Sequence, residues 1–410
     1  MRQPEEKFML ALEIFGRSHE DFVGARAEGF PAGESIDLEE LFAFMKRRAP
    51  QTRKEDDMPV FLSGLENGVT TGERLVVHIA NRDCRPSDYD ELKFIPRPGH
   101  ADYPAYVKWK GEEDMRGGGK FSGRMTAPLC AIGGIAKQLL SSRGIEISSE
   151  IIELGGSREP AEFEEIILNA KREGDSVGGI ACCRITGMPV GIGDCLFEGL
   201  ESGISRLVFG IPAVKGIEFG SGFEGAALRG SENNDGYEVC NNKVNITSNN
   251  AGGILGGMST GEPIVFNVAF KPVPSISKPQ KSVDLEKMEN VELVISGRHD
   301  VCVLPRALPA VEAAAAIAVF SAMDIREEQS LSSLRREIDS LDSEISALIS
   351  KRFELTDSVR GFKDRVRDPS REEQVLLNVA AAADKYCDEI REIYVKIMEQ
   401  SRKRQEELNG

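Results

Sequence analysis

Glycine is the most unevenly spread residue in this 410-residue chain: 39 of its 41 glycines lie before residue 331, with 18 of the 19 prolines and all four histidines. A loop-rich module therefore precedes one nearly free of helix breakers, and one secondary-structure class cannot serve both. Length agrees, since a single hydrophobic core stops growing at about 250–300 residues. We expect two domains, residues 1–325 and 326–410, joined by the charged stretch Ser321 to Ser333.

The net charge is −16. It divides as 36 basic and 50 acidic residues up to residue 330, then 15 and 17. Neither part offers the broad basic face that neutralises nucleic-acid phosphates. The longest apolar run, Ala313 to Phe320, is far short of the ~20 residues that cross a bilayer. The start MRQPEEKFMLALEIFG lacks a basic region followed by a long apolar stretch. We expect a cytoplasmic protein with no membrane or nucleic-acid partner. Eight cysteines without a CxxC spacing, Cys182 and Cys183 adjacent, read as buried thiols rather than as disulfides or a metal site.

In the second module Leu334, Ile338, Leu341, Ile345, Leu348, Leu355, Val359 and Phe362 recur every three or four residues, which marks one side of a helix facing other helices. The missing position of that seam is Arg352. At ~1.5 Å per residue, a helix from Leu331 to Lys363 is about 45–50 Å long. That is too long for the rest of so small a module to cover, which predicts packing against a second copy. Asp368-Pro369 reads as a helix start, with an acceptor at the cap, proline in the first position and Glu372 and Glu373 in the electropositive first turn. That helix should run to about Ala383. A third helix carries Ile390, Tyr394, Ile397, Ser401, Gln405 and Leu408 at similar spacing. Ser401 and Gln405, like Arg352, stand where core is expected. Either these polar groups satisfy one another and set register, or the inward cation holds a buried anion, because an unpartnered buried charge costs several kcal/mol.

The first module alternates glycine loops with short strands such as Arg74 to Ala80 and Ile264 to Phe270, and with apolar helices such as Pro128 to Leu140 and Pro309 to Phe320. This predicts an α/β or α+β architecture. Its loops, at 117–124, 210–222 and 249–263, can bring backbone amides close to a ligand. Gly220, Gly222 and Gly225 form a GxGxxG, but no amphipathic helix follows, and no GxxxxGK[ST] is present. Three histidines sit among glycine, arginine and aspartate: His19, His100 and His299. Such a histidine can protonate a phosphate leaving group at neutral pH. His78, in LVVHIA, reads as a packing residue. Around His19, Arg17 and Glu20 bring opposite charges whose effects on its proton affinity oppose.

These motifs resemble two families. LRREIDSLDSEISALISKRFEL, FK, RDPSREEQ and IYVKIMEQSRKRQ closely resemble the all-helical chorismate mutase family over essentially all of residues 330–408. The resemblance implies a three-helix domain that dimerises, with sites built from two chains, and the Claisen rearrangement of chorismate to prephenate. By resemblance Arg335, Arg352 and Arg371 fork onto the substrate carboxylates. Lys363 and Gln405 face the ether oxygen, Asp368 and Glu372 the hydroxyl, and Ser401 completes the site.

RPGHADY, GGGKFSGRMTA, GDSVGG, GIPAVKGIEFGSGF, GSENND, NNAGGILGGMSTGEPI, KPVPSI and GRHDVCVLPRALPAVEA follow in order to about residue 322, and resemble chorismate synthase. That implies an α+β fold, a β-α-β sandwich, and the anti-1,4 elimination of phosphate from 5-enolpyruvylshikimate 3-phosphate to give chorismate. It implies reduced FMN, although no net oxidation occurs, with NADPH as a candidate reductant of the flavin. By resemblance His19 is the acid at the departing phosphate, His100 the acid near flavin N1, and Asp300 takes part in proton removal at N5. Ser18, Arg48, Arg97, Ser122, Gly123, Arg124 and Arg298 would contact the substrate anion. Lys120, Phe121, Ser122, Gly256, Lys271, Pro272, Val273, Pro274, Ser275 and Arg298 would contact the flavin. The chain departs from the family at Arg17 and Glu20, at Lys120 where arginine leads, and at Met125 in place of glutamate. The expected whole is a bifunctional homodimer or homotetramer toward phenylalanine and tyrosine. The competing reading pairs an active mutase with an impaired synthase module that serves as scaffold or effector-binding domain.

Overall fold

The computed structural model describes residues 10–49, 57–81, 94–112, 116–295, 300–323, 331–359, 368–382 and 386–407. Arg298, His299 and Lys363 lie outside these, and so does the Arg335 side chain. Contacts group the chain into two compact units, Met1–Glu327 and Glu328–Gly410.

In the first unit β1 (Ala11–Gly16), β2 (Phe22–Glu28), β3 (Pro59–Ser63) and β4 (Leu75–Ala80) form an antiparallel sheet in the order β1-β2-β4-β3. β5 (Glu146–Leu154), β6 (Gly179–Thr186), β7 (Val214–Phe219) and β8 (Ile264–Phe270) form a second in the order β7-β8-β6-β5. β8 shows why: Ile264, Phe266, Val268 and Phe270 are buried while the residues between them are not. That period of two puts one apolar face on a core.

Helices α1 (Leu38–Lys46), α2 (Thr126–Ser141), α3 (Leu200–Val208) and α4 (Leu304–Ala322) belong to the same unit, with further helices such as Asp102–Lys108 and Phe163–Arg172 and smaller sheets around them. α2 lies on β2 and β4, α4 lies on β5 and β6, and the two helices pack on each other. The layers are therefore sheet, helices, sheet, the β-α-β sandwich expected. Ile132, Ile135, Ile317 and Val319 fill its middle, each contributing about 1.5–3 kcal/mol on burial. The helices touch through small residues: a Cβ on Gly133 would stand 2.3 Å from the Cβ of Ala313.

α4 starts at Leu304, five residues before the Pro309 at which the sequence suggests its start. Pro305 takes the first turn, where its missing donor costs nothing. The donor Pro309 lacks would have met the Pro305 carbonyl, one turn back. α4 is also long and apolar enough to cross a membrane by composition alone, yet it is the buried central helix of this unit. His78 stacks on Phe22 at 4.1 Å and meets Phe15 edge-on, a packing role. Cys130 and Cys183 are buried, and burial pushes the Cys130 thiol up to about 12. Cys195, Cys240 and Cys387 are exposed, which corrects the expectation of buried thiols for those three.

The second unit is helical: α5 (Leu331–Val359), α6 (Pro369–Ala382) and α7 (Cys387–Glu407). α7 packs on both α5 and α6. The cap at Asp368 forms as its sequence suggests, with Oδ1 accepting from the Arg371 amide at 3.2 Å. Among the described residues of this unit only Met398, Ser401 and Gln405 are buried.

Candidate active sites

The first site grows from strand ends. Gly16 pairs with Val23 at the close of the β1–β2 hairpin, so Ser18 and His19 lie in its connecting turn. Gly16 has φ +91, and a side chain there would strike the Phe22 carbonyl at 2.7 Å. Within the turn Arg17 and Glu20 meet at 3.7 Å, so the opposite charges flanking His19 face each other. Asn81, just past β4, clamps this turn by donating to the Arg17 and Glu20 carbonyls at 3.1 and 2.7 Å. Its Oδ1 accepts from Arg124 Nε at 2.7 Å.

Arg48 follows α1 and is fully buried. It donates to Asp57 through Nε at 3.0 Å and to the Gly123 carbonyl at 3.4 Å. Arg124, in the turn Gly123–Met125 before α2, also meets Asp57. Burial alone would push the Asp57 carboxyl up, but Arg48 and Arg124 together hold it below its ordinary value. Asp300 accepts from Arg306 Nη1 at 2.6 Å. Arg306 Nη2 would stand 3.9 Å from a Cβ on Gly123, so Asp300 joins this cluster through it.

A second group lies beside the first. His100 Nδ1 is 2.6 Å from Asp102 Oδ1, and Arg97 grips Asp102 at 2.7 and 2.8 Å. Burial would raise the Asp102 carboxyl, but its hydrogen bonds from Arg97 and His100 outweigh that and hold it far below the usual carboxylate range. Arg97 also reaches Ser275 Oγ at 3.5 Å, and Lys271 donates to the Gly99 carbonyl. The segment Lys271-Pro272-Val273-Pro274-Ser275 thereby packs on the histidine turn, where a Cβ on Gly99 would stand 3.6 Å from Pro274 Cβ. Partial burial, with Lys215 nearby, pulls the Lys271 ammonium down. A Cβ on Gly118 would lie 3.5 Å from Ser122 Cβ and 3.6 Å from His100 Nε2, so the two groups meet across a residue with no side chain. Lys120 and Phe121 flank Trp109 at 5.5 and 6.1 Å. Gly256 instead turns the hairpin Ile254 to Ser259, and the next residue, Gly257, packs on Asp194 and Gly199.

These groups suit a flat anionic cofactor. Bare backbone at Gly118 lies beside an imidazole nitrogen and Ser122, while the Ser275 hydroxyl and the Lys271 ammonium meet Arg97 and the Gly99 carbonyl of the same histidine turn.

In the second unit Arg352 Nη1 donates to Ser401 Oγ at 3.1 Å, and its guanidinium lies 6.0 Å from the Tyr394 ring centroid. Gln405 Nε2 donates to the Thr356 carbonyl at 2.6 Å. Ser401 and Gln405 thus satisfy themselves locally, while no described carboxylate pairs with Arg352. Glu372 is gripped by Arg402 at 2.9 and 2.8 Å. Asp368 serves as the helix cap, and Arg371 reaches Gln374 at 3.4 Å on the surface.

Sequence reasoning missed Asp57, Asn81, Asp102, Arg306 and Arg402 as partners in these sites. Asp102 was within reach, two residues from His100 in RPGHADY.

Known proteins share this chain's two parts. The family profile described as chorismate synthase matches residues 10–323, and that of chorismate mutase type II matches 334–406. A chorismate synthase of Korarchaeum cryptofilum is 43% identical over 340 residues, covering 76% of this chain and 94% of its own. Those of Lancefieldella parvula and Thermococcus gammatolerans are 42% and 44% identical, covering 76% and 74% of this chain and 94% and 93% of their own. A crystal structure of chorismate synthase shares the fold at a TM-score of 0.63 and 24% identity, over 83% of this chain and 99% of that one.

Proposed function

The chain belongs to the chorismate synthase family and carries a chorismate mutase domain behind it, and on that premise we propose how its residues perform the two activities. It is a bifunctional enzyme of aromatic amino acid biosynthesis: the first unit forms chorismate and the second rearranges it to prephenate.

In the first unit Arg48, Arg124 and Arg97, with Ser18, Ser122 and Gly123, bind the phosphate and carboxylates of 5-enolpyruvylshikimate 3-phosphate. His19 delivers a proton to the departing phosphate oxygen. His100, held at Nδ1 by Asp102, keeps Nε2 for the cofactor side. Asp300, steadied by Arg306, is the carboxylate on the side where the ring proton leaves. Lys120, Phe121, Ser122 and the 271–275 segment hold FMN, whose reduced ring, when bound, supplies electron density to the elimination without net oxidation. NADPH is its candidate reductant; turnover with oxidised FMN, NADPH and no other reductase would support that.

In the second unit the rearrangement needs positioning and charge rather than a nucleophile. Arg352 and Arg371 bind the carboxylates, Gln405 donates to the ether oxygen as it gains negative charge, and Glu372, fixed by Arg402, takes the hydroxyl. Ile338, Leu341, Ile345, Leu348 and Leu355 on α5 are each more than half exposed. That stripe favours a second copy of the chain as partner, in a homodimer or homotetramer.

The observation that carries the reading is that Asp57 joins Arg48 to Arg124, and Asn81 ties Arg124 to the turn that holds Ser18 and His19. The test is an anaerobic assay with purified protein, 5-enolpyruvylshikimate 3-phosphate and reduced FMN. Phosphate release followed by prephenate is expected. No phosphate release would remove the synthase activity, and chorismate accumulating without prephenate would remove the mutase.

A further inference from the structure

Arg48 and Arg124 come from distant parts of the chain, one after α1 and one before α2, yet they share a single carboxylate. Asp57, just ahead of β3, has a side chain only 6% exposed. Its Oδ2 accepts from Arg48 at Nε and Nη2, and its Oδ1 accepts from Arg124 Nη1. One oxygen serves each arginine, so the Asp57 plane sets the distance and angle between the two guanidinium forks. Arg124 is pinned further by Asn81 Oδ1 and, at 2.9 Å, by the Ala80 carbonyl. Without Asp57 two buried cations would repel each other across this gap; with it the three side chains carry one net positive charge.

We propose that Asp57 is a positioning residue of the elimination: it fixes Arg48 and Arg124 as a pair, at the spacing needed to hold the phosphorylated substrate as phosphate departs. The proposal rests on the assignment of these two arginines to the substrate anion. Asp57 cannot serve by attracting the substrate, because its charge opposes the binding of any anion nearby. What it supplies is direction. Donors fixed beforehand stabilise the charge that develops on the leaving group more than they stabilise the bound substrate.

The consequence is a split between binding and turnover. Asp57→Asn keeps the shape and removes the charge. It should lower the synthase kcat on the order of 100-fold, the cost of a misplacement of about 1 Å. The Kd for 5-enolpyruvylshikimate 3-phosphate, titrated calorimetrically with oxidised FMN present, should be no weaker than in the unchanged protein. Asp57→Glu keeps the charge but moves it by one methylene, so its kcat should fall while its melting temperature stays close to the original; this variant carries the test where the asparagine variant does not fold. A purely structural Asp57 would show a lowered melting temperature with kcat per folded molecule unchanged, and that result overturns the proposal, as would full turnover in Asp57→Glu. Arg48→Lys and Arg124→Lys serve as controls. If both leave Kd and kcat unchanged, the assignment of the arginines fails and the proposal with it. If they weaken binding while Asp57→Asn turns over normally, the role of Asp57 alone fails.

Discussion

Arg48, Arg97 and Arg124 in the first unit each meet an aspartate, whereas Arg352 in the second meets the Ser401 hydroxyl and the Tyr394 ring. The contrast follows the two reactions. An elimination that moves protons and expels phosphate needs donors whose direction holds while charge shifts, and a carboxylate partner fixes a guanidinium fork. A rearrangement of a dicarboxylate needs uncancelled positive charge, which a hydroxyl and a ring face leave intact. Arginine clusters can therefore be built for geometry or for charge, and the partner of the arginine distinguishes them.

The strongest way to break this comparison is to disable each unit alone. His19→Ala should lower phosphate release by up to about 10⁴-fold and leave prephenate formation from added chorismate untouched. Arg352→Ala should lower the mutase kcat/KM by about 10³-fold with phosphate release unchanged. If either substitution silenced both activities, the two sites would not be separate. Next comes Glu312, buried on α4 and bound by Arg47, Lys137 and Ser149. Glu312→Gln should destabilise the first unit by about 3–5 kcal/mol, measured by urea titration.

Acid sharpens the contrast further. The carboxyls of Asp57, Asp102 and Glu312 all titrate below their ordinary values in the folded chain. On acidification the unfolded chain binds protons first. The stability they contribute is therefore present above about pH 4 and is lost as pH falls below it. Melting curves against pH should show the first unit weakening in that window, with a shallower slope in Asp102→Asn. The smallest expected effect is that of Ser401→Ala, which removes one hydrogen bond to Arg352. A loss of about 1 kcal/mol should appear as roughly a fivefold lower mutase rate; an unchanged rate would mean that the hydroxyl does not orient the arginine.

The sequence makes the helices of the second unit legible because their signals are local: a three- and four-residue period, and a cap at Asp368 beside Pro369. The residues assigned to substrate by resemblance are legible for the same reason, since each lies in a short motif. Their partners are another matter. Glu312 pairs with Arg47 across 265 positions and Arg124 with Asn81 across 43, and no periodicity reports such a pairing. Arg306 is hidden because the apolar pattern suggests a helix start at Pro309, whereas helical geometry begins at Leu304. Asp102 is the exception, because its partner is two residues away.

α4 carries Arg306, which steadies Asp300, and six residues later Glu312, which binds the Arg47 beside Arg48. Along a helix six residues rise about 9 Å, and each residue turns the chain by about 100°. Phase thus links Asp300 to the cluster of Arg47, Arg48 and Arg124. Between those positions evolution can exchange side chains freely so long as they fit, but a single inserted or deleted residue would swing one partner away to another face. Lineages of this protein should therefore vary here in letters and never in length.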